Sequence, residues 1–215
     1  MLDFLLPKTR IRAHNFKEVA LGYTEEIAVD EAQRCLNCKN PPCVKACPVG
    51  NHIPEFIKEI ANNNIEGAYQ ILLDRTALPE ICGVVCNHQK QCQGSCARGI
   101  KGESVTIGAL EEFVAKHIRE NNLEKTDYVT NDRNIAIVGS GPAGMAAAYY
   151  LSKSGYKVTI YEKENYLGGV LTWGIPSFRL NKEIVKNFFN KLEKLNVSFK
   201  TNFVAIKISS YVKII

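Results

Sequence analysis

Eight cysteines are the residues of this 215-residue chain whose type and spacing most directly predict chemistry. The first four form the pattern C-x2-C-x4-C-x3-C-P, starting at Cys35. This pattern is close to the bacterial ferredoxin run, with a longer second interval. Because the fourth cysteine of such a run binds a different cluster, a second cysteine set is needed. That set consists of Cys82, Cys86, Cys92 and Cys96, and the eight thiols together predict two iron-sulfur clusters.

Two other interpretations of the cysteines remain open at this point. Thiolates in pairs also hold structural zinc, although zinc modules favour two separated close pairs over a run of four that ends in Cys-Pro. Disulfides or inert buried thiols are a further alternative, which a chain without a recognisable secretion signal disfavours. The four histidines are scattered, and none is predicted to be a ligand.

A glycine-rich turn in the second half predicts nucleotide binding. The segment Gly139–Gly144 reads G-S-G-P-A-G, follows an apolar strand pattern and opens a helix pattern. In the dinucleotide fingerprint the three glycines permit the turn, the approach of pyrophosphate and close helix packing. Glu162 follows the turn by about 20 residues, the sequence separation at which the acid of this fingerprint accepts hydrogen bonds from ribose hydroxyls. A glycine turn without a ligand is the alternative, and the pair Gly168-Gly169 favours FAD over a nicotinamide cofactor.

The elements that must position these residues are short helices and one βαβ unit. Apolar residues at helical spacing predict helices over 53–60, 65–72 and 107–118, the last with Glu111 and Glu112 on its less apolar sides. The second half predicts strands over 135–138 and 157–161 around a helix over 142–154. A further helix over 182–195 and a strand over 197–201 follow.

Composition excludes several other classes of protein. The hydrophobic content of 46% predicts a soluble globular chain, and no apolar run approaches membrane-spanning length. The chain has 27 basic and 22 acidic residues, which are interspersed and so argue against a nucleic-acid tract, and zinc-stabilised nucleic-acid binding is the third-ranked function. We expect a cytoplasmic protein without nucleic-acid or membrane partners. The predicted divisions are a helical cluster domain over 1–122, a linker over 123–133, a nucleotide domain over 134–204 and an atypical tail over 205–215.

Several motifs together resemble one oxidoreductase family. Besides the cysteine run, these are I-C-G-V-V-C from Ile81, C-Q-G-S-C from Cys92, I-G-A-L-E from Ile107 and G-I-P-S-F-R-L from Gly174. They are similar to the small (beta) subunit of NADPH-dependent glutamate synthase. They also resemble the large subunit of NADH-dependent ferredoxin:NADP⁺ oxidoreductase and the N-terminal part of dihydropyrimidine dehydrogenase. The resemblance extends to about Phe203.

The resemblance implies an α-helical two-cluster ferredoxin-like domain of the dihydropyrimidine dehydrogenase domain II type. A partial α/β Rossmann-like FAD-binding domain would follow it. One [4Fe-4S] cluster would be held by Cys35, Cys38, Cys43 and Cys96. The other would be held by Cys47, Cys86, Cys92 and Glu111, which leaves Cys82 as a non-ligating cysteine. FAD would be bound by Gly139, Ser140, Gly141, Pro142, Ala143, Gly144, Glu162, Lys163, Gly169, Val170 and Arg179.

In this family the chemistry belongs to the cofactors, so no catalytic side chain is predicted. Electrons would pass between FAD and the clusters to a partner, the large subunit of glutamate synthase or a ferredoxin-linked subunit. NADPH would be used only by the full-length enzyme. Because the relatives are longer, we expect a truncated chain that is inactive alone, through a frameshift, premature stop or gene-model fragment, with a naturally split enzyme as the alternative. A stand-alone electron carrier or interaction module without NAD(P)H activity is the alternative function.

Overall fold

The computed structural model describes residues 14–15, 17, 19–124, 130–131 and 133–205. The chain folds as two compact units. Unit 1 comprises Met1–Glu124 and Ser177–Leu180, and unit 2 comprises Lys125–Pro176 and Asn181–Ile215. Residues 125–129 and 132 of the predicted linker (123–133) lie outside the described residues. So do residues 206–215 of the predicted tail (205–215).

The regular elements of unit 1 are all helices, as far as its described residues show. They are α1 (Glu25–Gln33), α2 (Pro42–Ala46), α3 (Ile53–Ala61), α4 (Ile65–Leu73), α5 (Pro79–Val85) and α6 (Ile107–Glu120), with 3₁₀ turns at His88–Lys90 and Ala97–Ile100. The three helices predicted from apolar spacing are confirmed as α3, α4 and α6, which extend slightly beyond the predicted bounds. The other three were not predicted.

The apolar faces of these helices form one core. Phe56, Leu72 and Leu110, from α3, α4 and α6, are fully buried in it. Each predicted helix places its apolar residues on the side that faces its neighbours, which explains why periodicity identified them. The core also contains Cys43 and Cys92, so the cysteine segments pack directly onto the helices.

Glycine brings α5 unusually close to α6. A Cβ at Gly83 would lie 2.5 Å from the backbone nitrogen of Glu112 and 2.8 Å from its Cα. This close approach buries Glu111 and Glu112, which are 7% and 9% exposed. The sequence predicts both acids outside the apolar face of α6, and the structure shows that the side that carries them is covered as well. The periodicity of α6 could not show that a neighbouring helix covers them.

Unit 2 contains the predicted βαβ arrangement. Its described strands form a parallel sheet in the order β1-β2-β3, in which Val138 of β1 pairs with Tyr161 of β2. The predicted strands and the two long helices are confirmed, with α7 ending one residue early before Ser154. The short α8 was not predicted. The elements are β1 (Asn134–Val138), α7 (Pro142–Lys153), β2 (Lys157–Tyr161), α8 (Val170–Trp173), α9 (Lys182–Lys194) and β3 (Val197–Lys200).

Polar side chains cap the first turns of three helices, with Thr24 accepting a hydrogen bond from Ile27 N at the start of α1. The Asn64 side chain accepts a hydrogen bond from Gly67 N at the start of α4, and the Asn181 side chain accepts one from Glu183 N at the start of α9. Such caps satisfy backbone donors that have no partner within the helix.

Among the described residues, no helix is long and apolar enough to cross a membrane.

Candidate functional site

The thiols of unit 1 fall into two neighbouring groups. In the first, which we call set one, Cys35 interacts electrostatically with Cys96 and Cys38, and Cys43 interacts with Cys96 and Cys35. Set one therefore joins three cysteines of the first run to the last cysteine of the chain. The 3₁₀ turn after Cys96 and the short helix α2, which contains Cys43, place these thiols. Set one contains Cys35, Cys38, Cys43 and Cys96.

The second group, set two, combines three thiols with one carboxyl group. Cys86 interacts electrostatically with Glu111, Cys92 and Cys47, and Cys92 interacts with Glu111 and Cys47. Cys92 also interacts with Cys43, so the two sets adjoin one another. The structure thus brings together the same two groups of four residues that the resemblance implied as ligands. Set two contains Cys47, Cys86, Cys92 and Glu111.

Burial favours the protonated form of three of these thiols. It raises the pKa of Cys43 to about 11 and that of Cys92 to about 12, and it also raises the pKa of Cys35. Thiols with such pKa values are protonated at neutral pH, whereas iron binds the thiolate form. Metal binding at these positions must therefore release protons, so loading should become easier as the pH rises.

Cys82 and Cys86 form a hydrogen-bonded pair at the end of α5. The hydrogen bond from Cys82 is the main reason why the pKa of the Cys86 thiol is lowered. The same bond, followed by burial, raises the pKa of Cys82, whose sulfur also lies 3.6 Å from the Thr76 hydroxyl. Cys82 is thus a protonated donor that favours the thiolate of its neighbour. This arrangement suits a supporting position better than a ligand position.

Glu111 lies in a setting unusual for a carboxyl group. It is 7% exposed, and burial is the main reason why its pKa lies well above the usual range. A buried carboxylate is costly unless it is paired or binds a metal. Iron at set two would supply that compensation.

Among the described residues, no three His, Cys, Asp or Glu side chains are grouped closely enough to share a single metal ion.

The glycine turn of unit 2 has the three features that its sequence predicted. Gly139 adopts a φ of 94°, which L side chains rarely adopt. A Cβ at Gly144 would clash with the carbonyl oxygen of Gly139, so this glycine allows α7 to begin close to β1. A Cβ at Gly141 would meet nothing within 4 Å, which leaves open space beside the backbone where a ligand can approach. These features fit a bound pyrophosphate.

A hydrogen-bond network fixes Glu162 beside this turn. One carboxylate oxygen accepts hydrogen bonds from Ser140 N (2.8 Å) and the Ser140 hydroxyl (2.6 Å), and the other accepts one from Glu164 N (3.0 Å). Burial alone would raise the pKa of Glu162, but these hydrogen bonds together lower it. The carboxylate is therefore ionised.

A pocket of about 710 Å³ opens next to Glu162, within unit 2. Its volume lies in the usual range for a small-molecule site. Aromatic side chains form part of its wall, and the rings of Tyr161 and Phe203 are 4.7 Å apart. Of the predicted FAD residues, four line it: Gly139, Glu162, Lys163 and Gly169.

The remaining predicted FAD residues lie in three places. Ser140, Gly141, Pro142, Ala143 and Gly144 form the turn and the start of α7, and Val170 begins α8. Gly169 adjoins the turn, since its Cβ would lie 3.0 Å from the Cα of Gly141. Arg179 belongs to unit 1, where it interacts electrostatically with His88.

Sequence reasoning missed the aromatic wall of the pocket. Tyr161 ends β2 directly before Glu162, and Phe203 follows β3, whereas Trp173 ends α8. The position of Tyr161 beside the acid was the only signal that the sequence offered. Phe203 and Trp173 are distant from each other in the sequence, and no short motif indicates that they line the same pocket.

Comparison with known proteins supports both halves of this description. A family model described as dihydropyrimidine dehydrogenase domain II, 4Fe-4S cluster, matches residues 12–123, and one described as an NAD(P)-binding Rossmann-like domain matches residues 137–190. The chain therefore consists of a 4Fe-4S domain followed by a Rossmann-like domain, as the resemblance implied. Because the first match is to a 4Fe-4S domain, iron-sulfur binding replaces structural zinc as the interpretation of the cysteines.

The chain is similar to several curated oxidoreductases. It is 37% identical over 186 residues to the NAD-dependent dihydropyrimidine dehydrogenase subunit PreT of Escherichia coli K12, covering 86% of this chain and 45% of that protein. It is 34% identical to the glutamate synthase [NADPH] small chain of the same organism, over 90% of this chain and 41% of that one. It is also 34% identical to the putative oxidoreductase AegA of Escherichia coli K12, over 89% of this chain and 29% of that protein.

The chain spans less than half the length of each of these relatives. Two of the three are named as a subunit or a chain of an enzyme, and so act with a partner. The family model for the cysteine-rich half covers slightly more than half of the present chain. The chain accordingly belongs to the dihydropyrimidine dehydrogenase domain II, 4Fe-4S cluster family.

Proposed function

We propose that this chain is the FAD and iron-sulfur part of an NAD(P)H-dependent oxidoreductase. In this proposal, electrons pass between FAD and two [4Fe-4S] clusters, and then to or from a partner subunit. The observation that carries the proposal is the grouping of seven thiols and Glu111 into two adjoining sets of four. Two four-iron clusters require eight ligands in two such sets.

Set one and set two would each hold one cluster, which supplies one-electron transfer when bound. The chain's own contribution is to provide thiolates and to exclude water around them. Cys43 and Cys92, which are 9% and 6% exposed, form the buried side of the sets. Glu111 would provide an oxygen ligand to set two, and Cys82 would hold the neighbouring Cys86 in its thiolate form.

The glycine turn and the adjoining pocket would hold FAD. Open space at Gly141 lets the backbone approach the pyrophosphate, and the N-terminus of the 12-residue helix α7 offers unpaired N–H groups to it. The ionised Glu162 would accept hydrogen bonds from ribose hydroxyls. The aromatic wall, with Tyr161 and Phe203, suits a flat heteroaromatic ring system. Flavin is suited to join two-electron donors to one-electron clusters.

Our proposed label within the family is the small subunit of NADPH-dependent glutamate synthase. Its partner would then be the large subunit of that enzyme. A second candidate is a PreT-like subunit, favoured by an identity of 37% against 34%. The names of these relatives specify NADPH for the glutamate synthase small chain and NAD for PreT.

An anaerobic reductive titration of the reconstituted chain tests the proposal. Dithionite should bleach the flavin absorbance and produce electron paramagnetic resonance signals from two distinguishable clusters, with about four electrons taken up: two by FAD and one by each cluster. A Gly141→Val variant provides the control, since it should keep both cluster signals while losing flavin. Clusters without flavin in the unaltered chain would instead support a stand-alone electron carrier. A chain that binds neither would overturn the proposal.

A further inference from the structure

The two segments that carry the proposed cysteine ligands have an unbalanced charge. Residues 35–50 and 86–102 contain five basic side chains and no aspartate or glutamate. In the whole chain the ratio is 27 basic to 22 acidic residues, so the imbalance is local. We call these two ranges the cysteine segments. Their basic residues are Lys39, Lys45, Lys90, Arg98 and Lys101.

Most of these cations point toward solvent. All four lysines are exposed, while Arg98 is partly buried. Among the described residues, none of the five forms an ion pair with an acidic side chain. Their positive charge is therefore directed outward. Acids from outside the cysteine segments also approach the thiols or follow the segments: Glu55 interacts electrostatically with Cys35, Glu111 with Cys86 and Cys92, and Glu103 comes two residues after Lys101.

The same segments expose large apolar side chains. Leu36 is 57% exposed, Val49 is 52% exposed and Ile100 is 81% exposed. Each lies within four residues of a cysteine of one of the sets, so each is at most about 14 Å from one along the chain. Exposed apolar side chains surrounded by charged ones are typical of docking surfaces.

These features concentrate on set one. Leu36 lies between Cys35 and Cys38, and Ile100 ends the 3₁₀ turn that follows Cys96. Among the cations, Lys39 directly follows Cys38, and Lys45 and Arg98 each come two residues after a set-one cysteine.

We infer that the surface over set one is where electrons enter or leave this chain, and that it docks a redox protein whose contact face is acidic. The inference rests on the proposed function and identifies its partner surface. Leu36 and Ile100, which follow set-one cysteines in the chain, would form the centre of contact, and Lys39, Lys45, Arg98 and Lys101 would form its rim. Charges around such a contact mainly steer the encounter and fix its orientation.

A different role for the cations is to balance the negative charge of thiolate-bound clusters. The two roles predict different results. Charge balance acts on the reduction potential of the cluster and treats all small electron acceptors alike once the potential is corrected for. A docking surface discriminates between acceptors by the sign of their charge, and salt abolishes the discrimination.

The test compares two charge-reversal variants of the reconstituted chain. Lys39→Glu/Lys101→Glu reverses two exposed cations of the cysteine segments. Lys186→Glu/Lys194→Glu makes the same change in net charge at two exposed positions of α9, in unit 2. Each protein is reduced with dithionite, and its oxidation is followed by stopped flow at low ionic strength. The two probes are ferricyanide, an anion, and hexaammineruthenium(III), a cation.

We expect the first variant to react with ferricyanide about tenfold more slowly and with the ruthenium complex correspondingly faster, within the range of electrostatic steering. The control variant should change either rate by less than about twofold, and high salt should remove the difference. Equal effects of both variants, or changes that follow only the reduction potential, would overturn the inference. Reduced clusters in the unaltered chain verify the proposed function separately, since their absence would overturn that proposal instead.

Discussion

The contact between α5 and α6 is the point at which one methyl group should most clearly disturb the ligand-bearing unit. Alanine at Gly83 would place its Cβ 2.5 Å from Glu112 N and 2.8 Å from its Cα, where ordinary contacts begin at about 3.4 Å. These atoms belong to the backbone of a 14-residue helix, so relief requires the two helices to separate by roughly 1 Å.

The magnitude follows from two opposing effects. Overpacking of a tight contact costs about 1–3 kcal/mol, and a backbone clash belongs at the upper end. Replacing a helical glycine by alanine returns up to about 1 kcal/mol. We therefore expect Gly83→Ala to lower the free energy of unfolding by about 1–2 kcal/mol, or the Tm by roughly 2–8 °C.

Thermal melts of the anaerobically reconstituted chain, followed by far-ultraviolet circular dichroism, measure this effect. Gly102→Ala is the matched control, because a Cβ there meets nothing within 4 Å and should change stability by less than about 0.5 kcal/mol. Separation of α5 from α6 should also alter the magnetic resonance signal of the cluster at set two, since Cys86 and Glu111 flank this contact. If both variants melt together with unchanged signals, the close packing does not position Glu111.

Three further predictions concern the proposed ligands and the nucleotide turn. Cys82→Ser should retain the full iron content, whereas Glu111→Ala should perturb one cluster only; iron loss in the Cys82 variant would contradict the ligand assignment. Gly141→Val should bind FAD at least tenfold more weakly with an unchanged Tm, measured by flavin fluorescence and thermal melts, because the new side chain fills open space rather than the protein interior. The lowered pKa of Glu162 makes its carboxylate stabilising above its unfolded pKa of about 4.3, and this contribution is lost as the pH falls through the folded pKa. The stability advantage over Glu162→Gln should shrink on acidification, and a constant difference between pH 7 and pH 4 would refute it.

Local motifs were predicted well from the sequence because the residues that define them are close together in the chain. The strand, turn and helix around Gly139–Gly144 follow from apolar alternation and from glycine positions that only one backbone arrangement satisfies. Helices α3, α4 and α6 followed from the spacing of apolar residues such as Phe56 and Leu110.

Features that depend on packing between distant segments were not predictable in this way. The short helix α5 has too few residues for a periodic signal, and its approach to α6 depends on the absence of a single Cβ at Gly83. That approach covers Glu112, whose burial its sequence neighbours did not indicate. The pocket wall, likewise, joins Phe203 to Tyr161 across about 40 residues.

Metal and sulfide analysis of the anaerobically purified chain tests the central claim most directly. Two [4Fe-4S] clusters predict about eight iron atoms and about eight acid-labile sulfides per chain, without zinc. A Cys35→Ser/Cys96→Ser variant should retain about four of each, since it removes set-one ligands alone. Zinc in place of iron, or about four iron atoms in the unaltered chain, would contradict the account.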